Sequence, residues 1–390
     1  MMLDAIADIG RDTRTGGYRR YAWNDADMQL REWFAGEAGA RGMDLVEDGN
    51  GNQFAWWGAG ADALMIGSHL DSVPDGGAYD GPLGVISSFA AVDRLRADGF
   101  VPRRPVVVAN FADEEGARFG IACAGSQLVT GALEADKALG LKGRDGLTLA
   151  EVLTQRGRDP HAVGRTDLLD DVGTFVELHV EQGRSLVHSG SPVGVASSIW
   201  PHGRWRLDFC GEANHAGATV MADRRDPMQA YAATVLASRQ LATEADARAT
   251  FGRLEVEPGG TNAIPSRVRA WLDARAADEG ALDRLVDDLV IQAQAAAAGG
   301  GTTVTLTEES LSPAVDFDGP LRDRLAGLLD APVLPTGAGH DAGVLSAHLP
   351  TAMLFVRNPT GVSHSPAEVA DDADCEAGVV ALTAVVRELG

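Results

Sequence analysis

The chain of 390 residues carries 33 Lys and Arg against 56 Asp and Glu, a formal net charge of −23, and is 45% hydrophobic and 23% charged. At roughly 150 residues per domain this length holds two or three folding units with an ample core, which excludes a single small module and a disordered chain. The acidic balance argues against a nucleic-acid backbone or an anionic membrane surface as partner and leaves a small molecule as the expected one.

In chain order, the N-terminus MMLDAIADIGRDTRTGGYRRYAW lacks the apolar stretch of a secretion signal, and no later run is long enough to span a bilayer. Cys123, Cys210 and Cys375 lie far apart, form no CxxC spacing and leave one thiol over in any pairing, which suits a reducing cytosol. A cytoplasmic protein is expected. Four short apolar runs rich in Val, Ile, Leu, Phe or Met read as buried strands: Ala63 to Ser68, Pro105 to Phe111, Thr174 to Leu178 and Thr351 to Val356. Amphipathic helices accompany them, one with Val85, Phe89, Val92 and Leu95 along a face, another near the end with Val379, Val380, Val386 and Leu389. This alternation predicts an α/β fold with a mainly parallel sheet.

The middle third has a different rhythm. Arg204 to Cys210 reads as a strand, Pro227 to Leu241 as a helix, Thr250 to Glu257 and Arg267 to Ala274 as strands, Leu282 to Ala298 as a helix and Thr302 to Thr307 as a strand. The order β-α-β-β-α-β is ferredoxin-like. Residues 205–316 are therefore expected to form an inserted α+β domain between two segments, 1–204 and 317–390, of a catalytic domain.

Each of the four strands ends in a cluster of ionisable residues, where open α/β sheets place ligands. GSHLDSVPDGGAYDGPLG carries His69, Asp71 and Asp80; NFADEEGARFG carries Glu114 and Glu115; ELHVEQG carries His179; GVSHSPAE carries His364. Imidazoles and carboxylates without a thiolate suit Zn²⁺, with Mn²⁺, Co²⁺ or Ni²⁺ as alternatives, and two ions fit the number of donors. His69 and Asp71, two apart on an extended chain, share a face, so the carboxylate can orient the imidazole. Glu114 and Glu115 point opposite ways, one toward metal and the other toward substrate. A lone strand-end His is more often a hydrogen-bonded structural residue, and a Glu pair more often a solvated loop. That bland reading must hold at four clusters at once. Cys123 reads as a small core residue and the pair Trp56 and Trp57 as packing.

These clusters, in this order, make the chain resemble the dinuclear metallopeptidase (M20) superfamily. It is similar most closely to the hydantoinase/carbamoylase branch, with N-carbamoyl-L-amino-acid hydrolases, β-ureidopropionase and allantoate amidohydrolase. The resemblance runs from GGYRRYAWNDAD and DGNGN to SHSPAE. It implies that Asp80 bridges two divalent ions, with His69 and His179 on one and Glu115 and His364 on the other, and that Glu114 is the general base. His179 in ELHVEQG and His340 with Asp341 in GAGHDA place the chain in the amidase branch. The resemblance also implies that the inserted domain is a lid that forms a homodimer, and that His215 in GEANHAGAT stabilises the oxyanion in the neighbouring subunit's site. Asn262 in GGTNAIPS, Arg275 in WLDARA and Gln182 resemble substrate-binding residues, the first two gripping a carboxylate.

One departure stands out. Branch members carry small polar residues before the Gly-x-Ser-His turn, whereas this chain has FVRNPTGVSH with Arg357 and Asn358. Either Arg357 pairs with a protein carboxylate, or it supplies a second anion site for an acidic N-acyl, N-carbamoyl or N-formyl amino acid. The expected activity is hydrolysis of a linear amide or ureido C–N bond on a small carboxylate-bearing substrate. A dipeptidase or aminoacylase-like activity on the same scaffold, and a non-catalytic binding relative, are the rival readings.

Overall fold

The computed structural model describes residues 2–390. Its strands are β1 (Asp44–Glu47), β2 (Gln53–Trp57), β3 (Ala63–His69), β4 (Val106–Phe111), β5 (Val172–Val180), β6 (Val193–Ile199), β7 (His202–Cys210), β8 (Asn214–His215), β9 (Arg248–Glu257), β10 (Ala263–Ile264), β11 (Arg267–Arg275), β12 (Thr303–Ser312), β13 (Val315–Asp316), β14 (Val333–Thr336) and β15 (Thr351–Val356). The chain divides into two compact units, one ending at Ser198 and resuming over Asp316–Gly390, the other Ile199–Val315. The boundary expected before residue 205 falls inside β7, whose pairing with β11 already begins at His202.

In the first unit a nine-stranded sheet runs in the order β1-β2-β4-β3-β5-β15-β6-β13, with β14 on β6. Its centre, β4-β3-β5-β15, is parallel, and antiparallel pairs lie outside it. Every residue of β3, β4 and β15 is buried, as expected of parallel strands covered on both faces. The strand pattern and fold class thus match the sequence reading, and β15 matches it to the residue.

The helices correct that reading in two places. In Pro82–Ala97 the expected face, Val85, Phe89, Val92 and Leu95, is buried, but so is every residue from Pro82 to Phe89; only the second half, with Asp93 and Ala97 exposed, is amphipathic. In Asp372–Leu389, Val379 and Val386 are buried but Val380 is 50% exposed. Adjacent helical residues point about 100° apart, so Val379 and Val380 cannot both face the sheet. The buried stripe runs instead through Cys375, Gly378, Leu382 and Val385.

The second unit is a four-stranded sheet, β12-β7-β11-β9, all antiparallel in its pairings. Helices Pro227–Glu244 and Glu279–Gly299 contribute Ala230, Leu282, Leu285 and Leu289 to a core with Trp205, Phe209, Val268 and Leu272. This is the ferredoxin-like order read from the sequence. The short pair β8 and β10 stands apart from that sheet. No helix among the described residues is long and apolar enough to cross a membrane.

Candidate metal centre

The parallel strands deliver the ionisable clusters to one edge of the sheet. His69 is the last residue of β3 and His179 lies one before the end of β5; both are buried. Glu114 and Glu115 follow β4, His364 follows β15, and Asp80 sits in the turn before helix Pro82–Ala97. Two groups there could hold a metal ion: His69, Asp80 and His179, and Asp80, Glu115 and His364, with the donor atoms in each group within 4.8 Å of one another. Asp80 is common to both. Its Oδ1 is 3.0 Å from His179 Nε2 and 3.8 Å from His69 Nε2, and its Oδ2 is 3.4 Å from His364 Nε2.

The tautomers suit ligation. Nδ1 of His179 lies 2.9 Å from the Val180 carbonyl, and Nδ1 of His69 lies 3.2 Å from the Asp71 carbonyl. A carbonyl only accepts, so each Nδ1 carries the proton and each Nε2 presents a lone pair. Nε2 of His69, Nε2 of His179 and Oε1 of Glu115 are buried without a hydrogen-bond partner. Buried polar atoms are seldom left unpaired, and a divalent cation would satisfy all three, so the donor set fits metal ions.

Electrostatics point the same way. Burial disfavours the charged form of Asp80, yet the imidazoles of His179, His69 and His364 hold its carboxyl well below the usual range. Burial pushes Glu114 and Glu115 well up; the Asp341 and Glu115 charges add to the effect on Glu114, and Asp80 to that on Glu115. Burial opposes protonation of His69, but Glu114 and Asp71 outweigh it and raise the ring well above its ordinary value. His179 is raised likewise by Asp80 against the same desolvation. Without a cation the cluster therefore holds protons in place of metal.

The expected supporting residues converge here. Asp71 accepts from the backbone amides of both Glu114 and Glu115 at 3.1 Å, and so fixes the loop carrying them. Gly81, at φ +84, lies against the His69 ring: a Cβ there would come 2.4 Å from the ring carbon Cε1. Gln182 donates through Nε2 to Asp80 Oδ2 (3.1 Å) and Ser363 Oγ (3.2 Å), while its buried Oε1 has no partner. The His340 ring centroid is 4.5 Å from that of His179, and burial together with His179 keeps His340 neutral, well below its ordinary value. Asp113, Cys123 and His364 all occupy the left-handed region, at φ +53, +53 and +54. Such conformations in non-glycine residues gather at functional sites.

Three residues escaped the sequence reading. Glu368, the last residue of GVSHSPAE, reaches the turn before Asp80, and burial together with the Asp80 charge pushes its carboxyl up to about 7. Its place in a motif already singled out was the available signal. Glu177, on β5, accepts from Ser68 Oγ and the Ala342 amide, both at 2.8 Å, and opens the quoted ELHVEQG. Cys123 is more than core filling, since its thiol donates to Glu114 Oε1 at 3.5 Å.

Arg357 is corrected toward the first of its two readings. Its Nε and Nη2 close on Asp374 at 2.8 and 2.7 Å, tying the end of β15 to the first turn of helix Asp372–Leu389. The fork that would have gripped an acidic substrate is occupied by the protein. Asn358 beside it is a turn residue, accepting from the Thr360 and Gly361 amides and donating to the Val362 carbonyl.

In the second unit His215 and Asn262 are neighbours and Arg275 is not. His215 pairs with Ala263 across β8 and β10, and the Ala216 amide donates to the Asn262 carbonyl at 3.0 Å. His215 is exposed; its Nδ1 accepts from the Gly217 and Ala218 amides at 3.0 and 3.1 Å, which leaves the proton on Nε2. Arg275 ends β11 opposite His202, whereas Arg267 at the other end of β11 lies opposite Cys210, near β8. Eight residues of strand separate those ends by about 26 Å. The Arg275 guanidinium contacts Asp273 at 2.8 Å through Nε and 3.1 Å through Nη2.

Comparison with known proteins agrees with this geometry. Residues 65–388 match the model of peptidase family M20/M25/M40. An N-carbamoyl-L-amino acid amidohydrolase of Geobacillus stearothermophilus is 34% identical over 397 residues, covering 99% of this chain and 97% of that protein. An allantoate amidohydrolase of Bacillus subtilis is 31% identical over 379 residues, covering 94% and 90%. The crystal structure of a hydantoinase/carbamoylase family amidase from Burkholderia multivorans superposes with a TM-score of 0.88 at 29% identity, over 99% of this chain and 96% of that one. With matches that run nearly end to end on both sides, the chain belongs to peptidase family M20/M25/M40 and, within it, to the hydantoinase/carbamoylase amidohydrolases.

Proposed function

We propose that the enzyme hydrolyses the linear ureido or amide C–N bond of an N-carbamoyl-L-amino acid, of allantoate or of a related N-acyl amino acid, using two divalent ions per subunit. The observation that carries this reading is the pair of candidate ion groups sharing Asp80, with Glu114 beside them: Glu114 Oε2 lies 3.7 Å from His69 Nε2. Zn²⁺ is the first choice of metal, with Mn²⁺, Co²⁺ and Ni²⁺ as alternatives for the same nitrogen and oxygen donors. Two bound divalent cations supply Lewis acidity and make water a nucleophile near neutral pH.

The chain's own residues divide the remaining work. Glu114 takes the proton from the attacking water and returns it to the departing nitrogen, general acid–base help worth roughly 10²–10⁴ in rate. Asp71 positions the loop that carries it. His215, with its proton on Nε2, donates to the developing oxyanion, a contribution of about 3 kcal/mol. Asn262 holds the substrate carboxylate, joined by Arg275 once its guanidinium turns from Asp273, on the same strand, to the substrate. The unpartnered Oε1 of Gln182 accepts from the substrate's N–H, and the neutral ring of His340 lines the same pocket. For a carbamoyl substrate, water and the ureido group yield amine, ammonia and carbon dioxide.

Arg275 ends β11 about 26 Å along the strand from Arg267, the end that β10 and Asn262 lead into. A homodimer through the second unit, in which one copy supplies Arg275 and the other His215 and Asn262, would bring the two ends of the strand to one substrate. Three free thiols fit a cytoplasmic setting. The test is a screen of the metal-loaded enzyme against N-carbamoyl, N-formyl and N-acetyl amino acids, allantoate and dipeptides. Preferred cleavage of a ureido substrate, with ammonia released, is expected; preferred cleavage of dipeptides would overturn the proposal.

A further inference from the structure

The turn that carries Asp80 is held from the far end of the chain. Oε1 of Glu368 accepts from two consecutive backbone amides, Tyr79 N and Asp80 N, both at 3.0 Å, and Oε2 accepts from Ser363 Oγ at 2.9 Å. The carboxylate is buried, and the approach requires a glycine at 77, where a Cβ would come within 2.3 Å of Glu368 Oε1. The polar groups around it form one network: Gln182 Nε2 donates to Asp80 Oδ2 and Ser363 Oγ, and the Ser363 hydroxyl lies between the two carboxylates, 2.9 Å from Glu368 Oε2 and 3.1 Å from Asp80 Oδ2. Two successive amides aimed at one oxygen fix the peptide planes on either side of Tyr79, and with them the direction in which the Asp80 side chain leaves the backbone.

The two ion groups depend on this clamp unequally. His69 and His179 belong to strands β3 and β5 and are oriented by the Asp71 and Val180 carbonyls. His364 lies on a loop, next to Ser363, and Asp80 on a turn; both segments meet at Glu368. We infer that Glu368 is a positioning residue for the metal centre, clamping the Asp80 turn to the His364 loop and thereby setting the affinity of the Asp80–Glu115–His364 group for its ion. It belongs to neither candidate ion group. Residues that orient ligands in this way typically change metal affinity by roughly 10–100-fold when removed.

The inference rests on the two-ion reading proposed above, and metal counting separates the two. The metal-free full-length enzyme is titrated with Mn²⁺, with occupancy read by equilibrium dialysis and the coupling between ions by electron paramagnetic resonance. Wild type is expected to take up two coupled ions; uptake of one would sink the two-ion reading itself. Glu368→Ala should bind the first ion within about threefold of wild type and the second roughly 10–100-fold more weakly, giving an uncoupled spectrum, with Glu368→Gln in between because it keeps one acceptor for the amides. Equal weakening of both ions, or two coupled ions bound as in wild type, would overturn the inference. Should Glu368→Ala not fold, Glu368→Gln, which keeps the shape of the side chain, is read by the same split between first and second ion.

Discussion

In the proposed mechanism Glu114 is the side chain whose chemistry the centre depends on and whose removal should leave the centre standing. Its amide is held by Asp71 and its Oε1 by the Cys123 thiol, neither of which needs the charge. Glu114→Gln is therefore expected to lower kcat by roughly 10²–10⁴ while metal content and thermal stability stay near wild type. Steady-state kinetics beside metal analysis checks this. The raised groups predict a proton linkage. In the metal-free protein His69, His179 and Glu115 hold protons above their ordinary values, so cations must displace those protons on binding. Metal uptake should release protons, and apparent affinity should fall as pH is lowered through the neutral range. Titration calorimetry in buffers of different ionisation enthalpy reads the number released; a count of zero would contradict this assignment of charge.

At the scale of elements, strand ends and helix starts do the positioning, and single residues show how tightly. Replacing Gly81 with Ala drives a Cβ into the His69 ring at a backbone angle that L residues avoid. The enzyme should stay folded but lose affinity for the first ion, measured by the same dialysis. Arg357 makes the opposite kind of contribution. Its bidentate pair ties β15 to the C-terminal helix, and Asp374 is buried, so Arg357→Ala should cost about 1–3 kcal/mol in a denaturant titration while leaving any preference between acidic and neutral substrates unchanged. The sequence could not separate these cases, because an Arg after a strand looks the same whether its partner is a substrate or a helix 17 residues on. Buried strands were legible because parallel strands covered on both faces leave uninterrupted apolar runs. The orientation of Val380 was not, because four apolar residues in a helical segment do not fix which of two adjacent ones faces the core.

For the molecule as a whole, the residues of the two candidate ion groups were legible from order and motif, since each cluster closes a recognisable strand. Glu368, Glu177 and Cys123 were not, because their roles lie in hydrogen bonds to segments distant in sequence, 288 residues away in the case of Glu368 and Asp80. That Arg275 lies at the end of β11 away from Arg267 and β10 likewise became visible only in the register of β7 and β11, and with the proposed reach of His215 into a neighbouring subunit it leads to the dimer prediction. Mixing inactive Glu114→Gln with inactive His215→Ala subunits should restore activity, because exchange creates sites with a wild-type Glu114 from one copy and a wild-type His215 from the other. Continued inactivity after demonstrated subunit exchange would place both residues in the same chain's site.

The most direct test of the whole account counts ions and turnover together. Metal-free enzyme is loaded stepwise with Zn²⁺ or Mn²⁺ while hydrolysis of an N-carbamoyl-L-amino acid and of allantoate is followed. The account predicts that ureido cleavage rises with occupancy to two ions per chain and that Asp80→Asn abolishes both binding steps. Turnover of either compound by the metal-free enzyme, or two ions retained at full affinity by Asp80→Asn, would contradict it.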